Sequence, residues 1–485
     1  MAKKSIMKNY IYNLSYQILT LILPIVTTPY LARVLGATGI GIYGYTFSIC
    51  TYFNLFGSLG VALYGQREIA YNQDNKSKRN KIFYEIIVLR FITMTISILI
   101  YAFCFMRKGD YVLYYRILVL ELIATAFDIS WFFQGLEEFK KTVIRNILVR
   151  VVAVSLVFVF VKEKTDLNKF VLIYSLADLI GNLSLWIYLP KYLRGEKVGK
   201  IYAFQHLLPI LMLFVPQISN QLYKMLDTTM IGKLITDKAE TGYYEQAQKI
   251  VRLLITIVTS LGTIMIPRIA HTFEKGNSKK IIAYIEDSFC FTFLLSFPMM
   301  IGISCVANSF VPFFLGSGYD KVIVLIRVIC PILLLLGIAN VVGTQYLLPT
   351  KRQKEYTNSI IAGVVINFVL NYFLILKFES IGASIATVIS QLAIDVIQLY
   401  IVRNEISLRK VFYSSIKYLI SSIVMGVLCM MIFFLMKASV KTMIIQVIIG
   451  AISYSITLIL LKDRFVMEIL NKFKVKFSTN NNSWV

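Results

Sequence analysis

Twelve ionisable side chains stand inside stretches of sequence that are otherwise continuously apolar. In the first half they are Arg90, Glu121, Asp128, Arg150 and Asp178. In the second they are Lys224, Asp227, Glu245, Lys249, Arg252, Arg327 and Asp395. Burying such a group in hydrocarbon is costly unless it pairs or faces water, so each is a candidate for ligand binding or ion movement. Spacing sharpens the choice. Glu245, Lys249 and Arg252 fall at i, i+4 and i+7, which is one face of a helix, and Lys224 lies one turn from Asp227. The positive balance on that face suits an anion such as a phosphate or pyrophosphate. Asp128 and Asp178 are candidates for ion coupling, because an isolated carboxylate in a span can titrate as its surroundings open and close. For any one of these residues the competing reading is an interhelical salt bridge.

Other chemistries find no residues to carry them. The glycine cluster Gly36-Ala37-Thr38-Gly39-Ile40-Gly41 lacks a Gly-Lys-Ser/Thr ending and a preceding strand, so it reads as a turn and not as a nucleotide cradle. The two histidines, His206 and His271, are far apart and suggest no metal site. The six cysteines form no CxxC pair and lie in or at the ends of apolar blocks, as small hydrophobes do. No Ser/His/Asp constellation or acidic loop motif points to an enzyme, and no cofactor is expected. The net charge of +24 invites a nucleic-acid reading, but the basic residues sit in short segments between apolar blocks, the positive-inside pattern of membrane proteins.

The elements that must position these charges are membrane helices. The hydrophobic fraction of 57%, the charged fraction of 16% and the mean hydropathy of +0.70 all depart from soluble chains. The apolar residues come in blocks of about 20, the length that crosses hydrocarbon as a helix. They do not alternate, so helices are expected and not a barrel. Fourteen spans are read, roughly 9–33, 42–64, 82–106, 111–135, 143–162, 168–190, 205–232, 243–271, 284–308, 320–348, 356–377, 381–403, 412–436 and 440–461. Met1–Lys8 is basic, but no small-residue cleavage site follows the first apolar run, so that run is read as a retained span. With a cytoplasmic N-terminus the cytoplasmic segments hold 31 Lys and Arg and the outer segments 14. That bias places both termini in the cytoplasm.

A repeat runs through the chain. Gly41-Ile42-Tyr43 at the entry to span 2 recurs as Gly242-Tyr243-Tyr244 at the entry to span 8, and Arg67 recurs as Arg268; both pairs share an offset of 201. Six crossings return a chain to its starting side, so the copies are parallel repeats, an arrangement in which substrate sits at the interface between halves. The expected organisation is an N-lobe at 1–190, a cytoplasmic linker at 191–204, a C-lobe at 205–403 and two added spans at 404–461. A cytoplasmic tail follows at 462–485. In it Phe465, Ile469, Phe473 and Phe477 recur every four residues beside Lys472, Lys474 and Lys476, as in an interfacial amphipathic helix on an anionic leaflet.

Three motifs carry a family resemblance. They are Leu23-Pro24-Ile25-Val26-Thr27-Thr28-Pro29-Tyr30-Leu31-Ala32-Arg33-Val34-Leu35-Gly36 with Gly65-Gln66-Arg67-Glu68-Ile69-Ala70, then Ser130-Trp131-Phe132-Phe133-Gln134-Gly135-Leu136-Glu137, then Asp227 with Glu240-Thr241-Gly242-Tyr243-Tyr244-Glu245-Gln246-Ala247-Gln248-Lys249-Ile250. The chain resembles the Wzx-type oligosaccharide flippases of the multidrug/oligosaccharidyl-lipid/polysaccharide exporter superfamily. The resemblance covers nearly the whole chain and is strongest in spans 1–8. It implies two six-helix lobes around a central cavity. It also implies movement of undecaprenyl-pyrophosphate-linked repeat units between leaflets of a bacterial cytoplasmic membrane, for capsule or O-antigen assembly, by alternating access. The implied partners are the lipid-linked oligosaccharide, membrane lipids, a polysaccharide polymerase and glycosyltransferases, with no nucleic acid. Arg33 matches the cavity arginine that precedes Leu-Gly in the related lipid II flippases. Those relatives carry a second arginine on span 8, where this chain has Ala247, with Lys249 and Arg252 one to two turns away. The substrate-binding set is therefore Arg33, Lys249, Arg252 and Lys224. The rival readings are a multidrug or metabolite antiporter of the same superfold and, in a different class, a membrane polysaccharide polymerase or glycosyltransferase.

Overall fold

In the computed structural model the backbone is described for residues 6–193, 199–463 and 465–467, and the side chains from Ser15 onward except at 215–217, 219–220 and 222–224. All regular structure among these residues is helical. The chain divides into two compact units, Met1–Gly242 and Tyr243–Val485.

The first unit contains α1 (Ile6–Ser58), α2 (Val61–Tyr71), α3 (Lys76–Phe105), α4 (Val112–Ala126), α5 (Ser130–Gly135), α6 (Phe139–Phe160), α7 (Leu167–Trp186), α8 (Pro190–Leu193) and α9 (Leu207–Leu234). Helix α10 (Ala239–Val258) crosses the boundary. The second unit continues with α11 (Gly262–Glu274), α12 (Ser278–Leu315), α13 (Asp320–Ile329), α14 (Ile332–Ala339), a π-helix (Asn340–Leu347), α15 (Gln353–Val402), α16 (Leu408–Met436) and α17 (Val440–Leu460). The division falls one helix later than the expected lobe boundary, with α9 in the first unit.

Among the described residues nine helices are long and apolar enough to cross a membrane, or ten if α10 and α11, inclined by 42°, form one bent span. The expected fourteen spans are not reproduced by that count, which takes α1 and α15 once each and leaves out α4 and α9. A straight α1 of 53 residues would be about 80 Å long, against roughly 30 Å of hydrocarbon. It breaks at Gly36 (φ 68°), a left-handed conformation that glycine adopts without strain. Helix α15, 50 residues long, breaks at Glu379 (φ 52°) and folds back on itself. There is no room for a side chain at Gly363, where a Cβ would stand 2.3 Å from Ile394, or at Gly382, where it would stand 2.0 Å from the Leu374 carbonyl.

Without a hydrophobic force between helices in lipid, close packing of small residues must hold them together. The family-like motifs are built for this. A Cβ on Gly65 would stand 2.5 Å from the Trp131 ring, and one on Gly135 would stand 2.7 Å from the Gln66 carbonyl. The motif around Gly65 and the motif around Trp131 are therefore two faces of one contact, between α2 and α5. Trp131, Phe132 and Phe133 are fully buried there, with Phe83 stacked 5.7 Å from Trp131. The second unit has its own aromatic core, in which Phe289, Phe293 and Tyr418 are buried and Tyr454 Oη donates to the Leu294 carbonyl at 2.9 Å.

The repeat glycines meet within the first unit. A Cβ on Gly41 would stand 1.7 Å from the Lys238 carbonyl oxygen, and one on Gly242 would stand 2.0 Å from the Ala37 carbonyl oxygen. Residues 37 and 238 are themselves related by the offset of 201, so the contact is reciprocal, as a local two-fold requires.

The segment leading into α9 is pinned to α3 by Glu85, only 1% exposed. Its carboxylate accepts from Tyr202 N (2.9 Å) and Gln205 Nε2 (2.9 Å) and lies 3.1 Å from His206 Nε2, while the Tyr64 hydroxyl lies 2.8 Å from His206 Nδ1. Beyond Met467 the expected tail helix, with Ile469, Lys472, Phe473, Lys474, Lys476 and Phe477, lies outside the described residues.

Candidate functional site

Helices α4, α6 and α7 enclose a polar cavity of about 260 Å³ in the first unit. Glu121 from α4, Asp128 from the turn after it, Arg145 and Arg150 from α6, and Asp178 and Asn182 from α7 line it, and Tyr16 of α1 joins them. Both carboxylates expected to couple ions therefore line one space. Neither is isolated, as the sequence suggested. Asp178 Oδ1 lies 3.6 Å from Arg150 Nη2, and Asp128 Oδ2 lies 3.7 Å from Arg90 Nη2. Asp128 Oδ1 also accepts from Ser130 N at 2.9 Å, so one carboxylate both starts α5 and holds a guanidinium of α3.

Arg145 completes the network. Its Nη1 donates to Asn182 Oδ1 at 2.8 Å, and Asn182 Nδ2 donates to the Ala124 carbonyl at 2.7 Å, which ties α6, α7 and α4 together. Three carboxylates (Glu121, Asp128, Asp178) face three guanidiniums (Arg90, Arg145, Arg150), so the fixed charge balances. Arg90 Nε and Nη1 and Arg145 Nε have no hydrogen-bond partner among the described residues. Glu121 is 8% exposed and, among the described residues, is the lining carboxylate that lacks an ion pair within 4.0 Å; Arg150 and Asp178 are its charged neighbours. Its charged and polar lining suits water and a small ion or a proton relay.

The residues expected to meet the substrate lie elsewhere. Arg33 is exposed on α1, three residues before the Gly36 break. Lys249 is half-buried and Arg252 exposed on α10, sharing a face with half-buried Glu245 as the spacing implied. Arg33 belongs to the first unit and the α10 pair to the second. Ala247, at the place of the relatives' second arginine, is fully buried. Lys224 is on α9, but its side chain lies outside the described residues.

Sequence reasoning missed Arg145, Asn182 and Tyr16. Arg145 sits near the start of its span, where a basic residue reads as an interfacial anchor. The signal that could have found it is its helical face, since Asn146, Val149 and Arg150 of the same helix line the same cavity.

Residues 6–273 match the family described as "Polysaccharide biosynthesis protein", and residues 213–373 match the family MatE. The chain is 26% identical over 414 residues to a protein of Escherichia coli (strain K12) described as "Putative O-antigen transporter", covering 83% of this chain and 98% of that protein. It is 26% identical over 183 residues to the lipid II flippase MurJ of Bacillus subtilis (strain 168), covering 36% of this chain and 34% of that protein. Among solved structures, the lipid II flippase MurJ in an inward closed conformation superposes with a TM-score of 0.74 at 16% identity, over 94% of this chain and 99% of that one. An inward-facing transporter of the multidrug resistance MATE family superposes with a TM-score of 0.58 at 14% identity, over 80% of this chain and 99% of that one. The fold is that of these membrane transporters.

Proposed function

The chain belongs to the polysaccharide biosynthesis protein family, and from that premise we propose that it is a flippase for a lipid-linked saccharide, not an enzyme. The observation that carries this reading is the match along nearly all of the Escherichia coli protein described as "Putative O-antigen transporter". The cargo is an undecaprenyl-pyrophosphate-linked repeat unit moving from the inner to the outer leaflet of a bacterial cytoplasmic membrane, for capsule or O-antigen-type assembly. A polymerase and glycosyltransferases act before and after it. Alternating access fits cargo of this shape: the polyprenyl chain stays in lipid while the head group and sugars cross a polar path. Depleting the protein in its native host is expected to accumulate a lipid-linked oligosaccharide that an impermeant outside reagent does not reach. Unchanged levels of every such lipid would sink the reading. The MatE match supports a second reading, export of drugs or metabolites, and dye efflux lost on depletion would favour it.

The orientation we propose puts both termini and the Lys76–Lys81 segment in the cytoplasm, from the bias of Lys and Arg. A single cysteine at position 78 in a cysteine-free chain should resist impermeant maleimide in intact cells and react after permeabilisation. Labelling in intact cells would reverse the topology.

Ion coupling we place in the cavity of the first unit, on Asp128, Asp178 and Glu121. Arg150 and Asp178 both line the polar cavity, where the Arg150 guanidinium left by Asp178→Asn can still meet water and the other carboxylates, so that variant should fold. Asp128→Asn leaves buried Arg90 without its counter-charge, which costs on the order of 3–5 kcal/mol, so its yield should fall as well. In proteoliposomes Asp178→Asn and Glu121→Gln are expected to lose the dependence of transport on an ion gradient. Should both keep wild-type gradient dependence, the cavity is structural.

A further inference from the structure

The second half of α15 buries a polar stripe within the second unit: Ser380, Ser384, Thr387, Gln391, Asp395 and Gln398, each at most 3% exposed. Their spacing of 4, 3, 4, 4 and 3 is one helix face, and the opposite face exposes Ile389, Leu392, Val396 and Tyr400. Most of the stripe closes on itself. Ser384 Oγ donates to the Ser380 carbonyl, Thr387 Oγ1 to the Ala383 carbonyl, and Gln391 Nε2 to Asp395 Oδ1 at 3.1 Å. Two oxygens do not: Asp395 Oδ2 and Gln398 Oε1, both buried, have no hydrogen-bond partner among the described residues.

The carboxyl of Asp395 is 1% exposed, and no lysine, arginine or histidine among the described residues pairs with it. An isolated carboxylate there would carry an uncompensated charge in a medium that cannot solvate it. The orientation of Gln398 is settled by its neighbours. Its Nε2 donates to Ser359 Oγ at 2.9 Å, and Ser359 Oγ spends its own proton on the Tyr356 carbonyl at 2.7 Å, so Gln398 Oε1 is left as an acceptor. Residues three apart on a helix are surface neighbours, with Cβ atoms about 5–6 Å apart. The side chains that carry the two orphan oxygens are therefore neighbours on one buried face.

We propose that Asp395 is a proton-binding site of the second unit, a neutral carboxyl whose Oδ2–H donates to Gln398 Oε1. Releasing the proton to water leaves a carboxylate that this packing does not solvate. Release is therefore coupled to a rearrangement that admits water along the stripe. On the proposed topology the site lies about 10 Å inside the cytoplasmic end of the helix, five residues before Tyr400. At that end the π-helix contributes Gly343, which packs against Gln398 and the Tyr356 ring, and the charged groups include Glu405, Arg352, Glu355, Lys351 and Arg403. π-helical turns are frequent at functional sites.

The test needs no transported substrate, so its failure is separate from failure of the flippase reading. Infrared difference spectra of the purified full-length protein in lipid nanodiscs, wild type minus Asp395→Asn at neutral pH, should show one protonated-carboxyl C=O band that the variant loses. Gln398→Leu should keep that band and shift it to higher frequency, because its acceptor is gone. Asparagine copies the neutral carboxyl, so Asp395→Asn should elute as wild type on size exclusion; if it does not, the Gln398→Leu shift alone decides. Spectra without a lost band, a Gln398→Leu spectrum without a shift, or a band that appears only on sodium removal would each overturn the assignment.

Discussion

Gly41→Ala and Gly242→Ala are each expected to leave little folded protein in the membrane. An added Cβ would stand 1.7 Å from the Lys238 carbonyl oxygen in one case and 2.0 Å from the Ala37 carbonyl oxygen in the other. Ordinary carbon–oxygen contacts exceed about 3 Å, so the two backbones would have to part by more than an ångström. Neither can yield cheaply. The Lys238 side chain folds back to donate to the Gly232 and Ile235 carbonyls at 2.5 and 2.8 Å, which fixes the turn after α9. Its ammonium also lies over the Tyr45 ring, and Tyr45 fills the space above Gly232. Overpacking a core costs about 1–3 kcal/mol where side chains can shift, and more where only backbone faces backbone. Loss of about 3 kcal/mol or more is expected for each variant, measured as a fall in melting temperature and in the monodisperse peak on size exclusion. Gly199→Ala is the control, since nothing among the described residues lies within 4 Å of its Cβ. A Gly41→Ala protein that melts with wild type would show that this crossing is not fixed.

That contact shows what the sequence discloses and where it stops. Gly41 and Gly242 are legible as a repeat because both copies keep glycine, yet nothing in one strand of text says that the two glycines touch. The same holds for Gly65 and Trp131, read first as separate motifs and found to be one interface. Membrane helices are legible from apolar length alone, since hydrocarbon leaves the backbone no alternative. Their number is harder to count from the helices than from the text: the sequence reading parts spans at 33/42 and at 377/381, where α1 and α15 each run on as one helix broken at Gly36 or Glu379. The candidate charges are legible for the same reason, as each interrupts an apolar run. Their partners are not. Asp128 meets Arg90 and Asp178 meets Arg150 only because α3, the turn after α4, α6 and α7 converge, and that convergence has no signature within any one span. The reverse case is Asp395, which the sequence offered beside eleven other charges and which has no cation beside it among the described residues.

Arg33→Ala is expected to abolish flipping while the protein inserts and folds as wild type. We assign Arg33 to the phosphate-bearing head group for two reasons. It stands at the matching position before Leu35-Gly36 in the family-like motif. It is also exposed on α1 beside the Gly36 break, so its removal leaves no core cavity. A guanidinium holds phosphate oxygens through two parallel, charge-assisted hydrogen bonds, whereas an ammonium offers a single point of charge. Such bonds contribute about 1.5–3 kcal/mol each, so losing both corresponds to a fall in transport on the order of a hundredfold or more. Arg33→Lys keeps the charge and loses the fork, and it should transport at an intermediate rate. The measurement is flipping in proteoliposomes, read beside the melting temperature of each variant. On α10 the same logic applies to Lys249 and Arg252, with one competing role, a structural pair with Glu245 at i−4 of Lys249. Charge exchange separates the two. If Lys249→Glu with Glu245→Lys restores full transport, the pair is structural and Lys249 leaves the binding set. If the exchanged protein folds and stays inactive, the place of the positive charge matters to the cargo, as an anion site demands. Full transport by Arg33→Ala would remove Arg33 from the site whatever the outcome on α10.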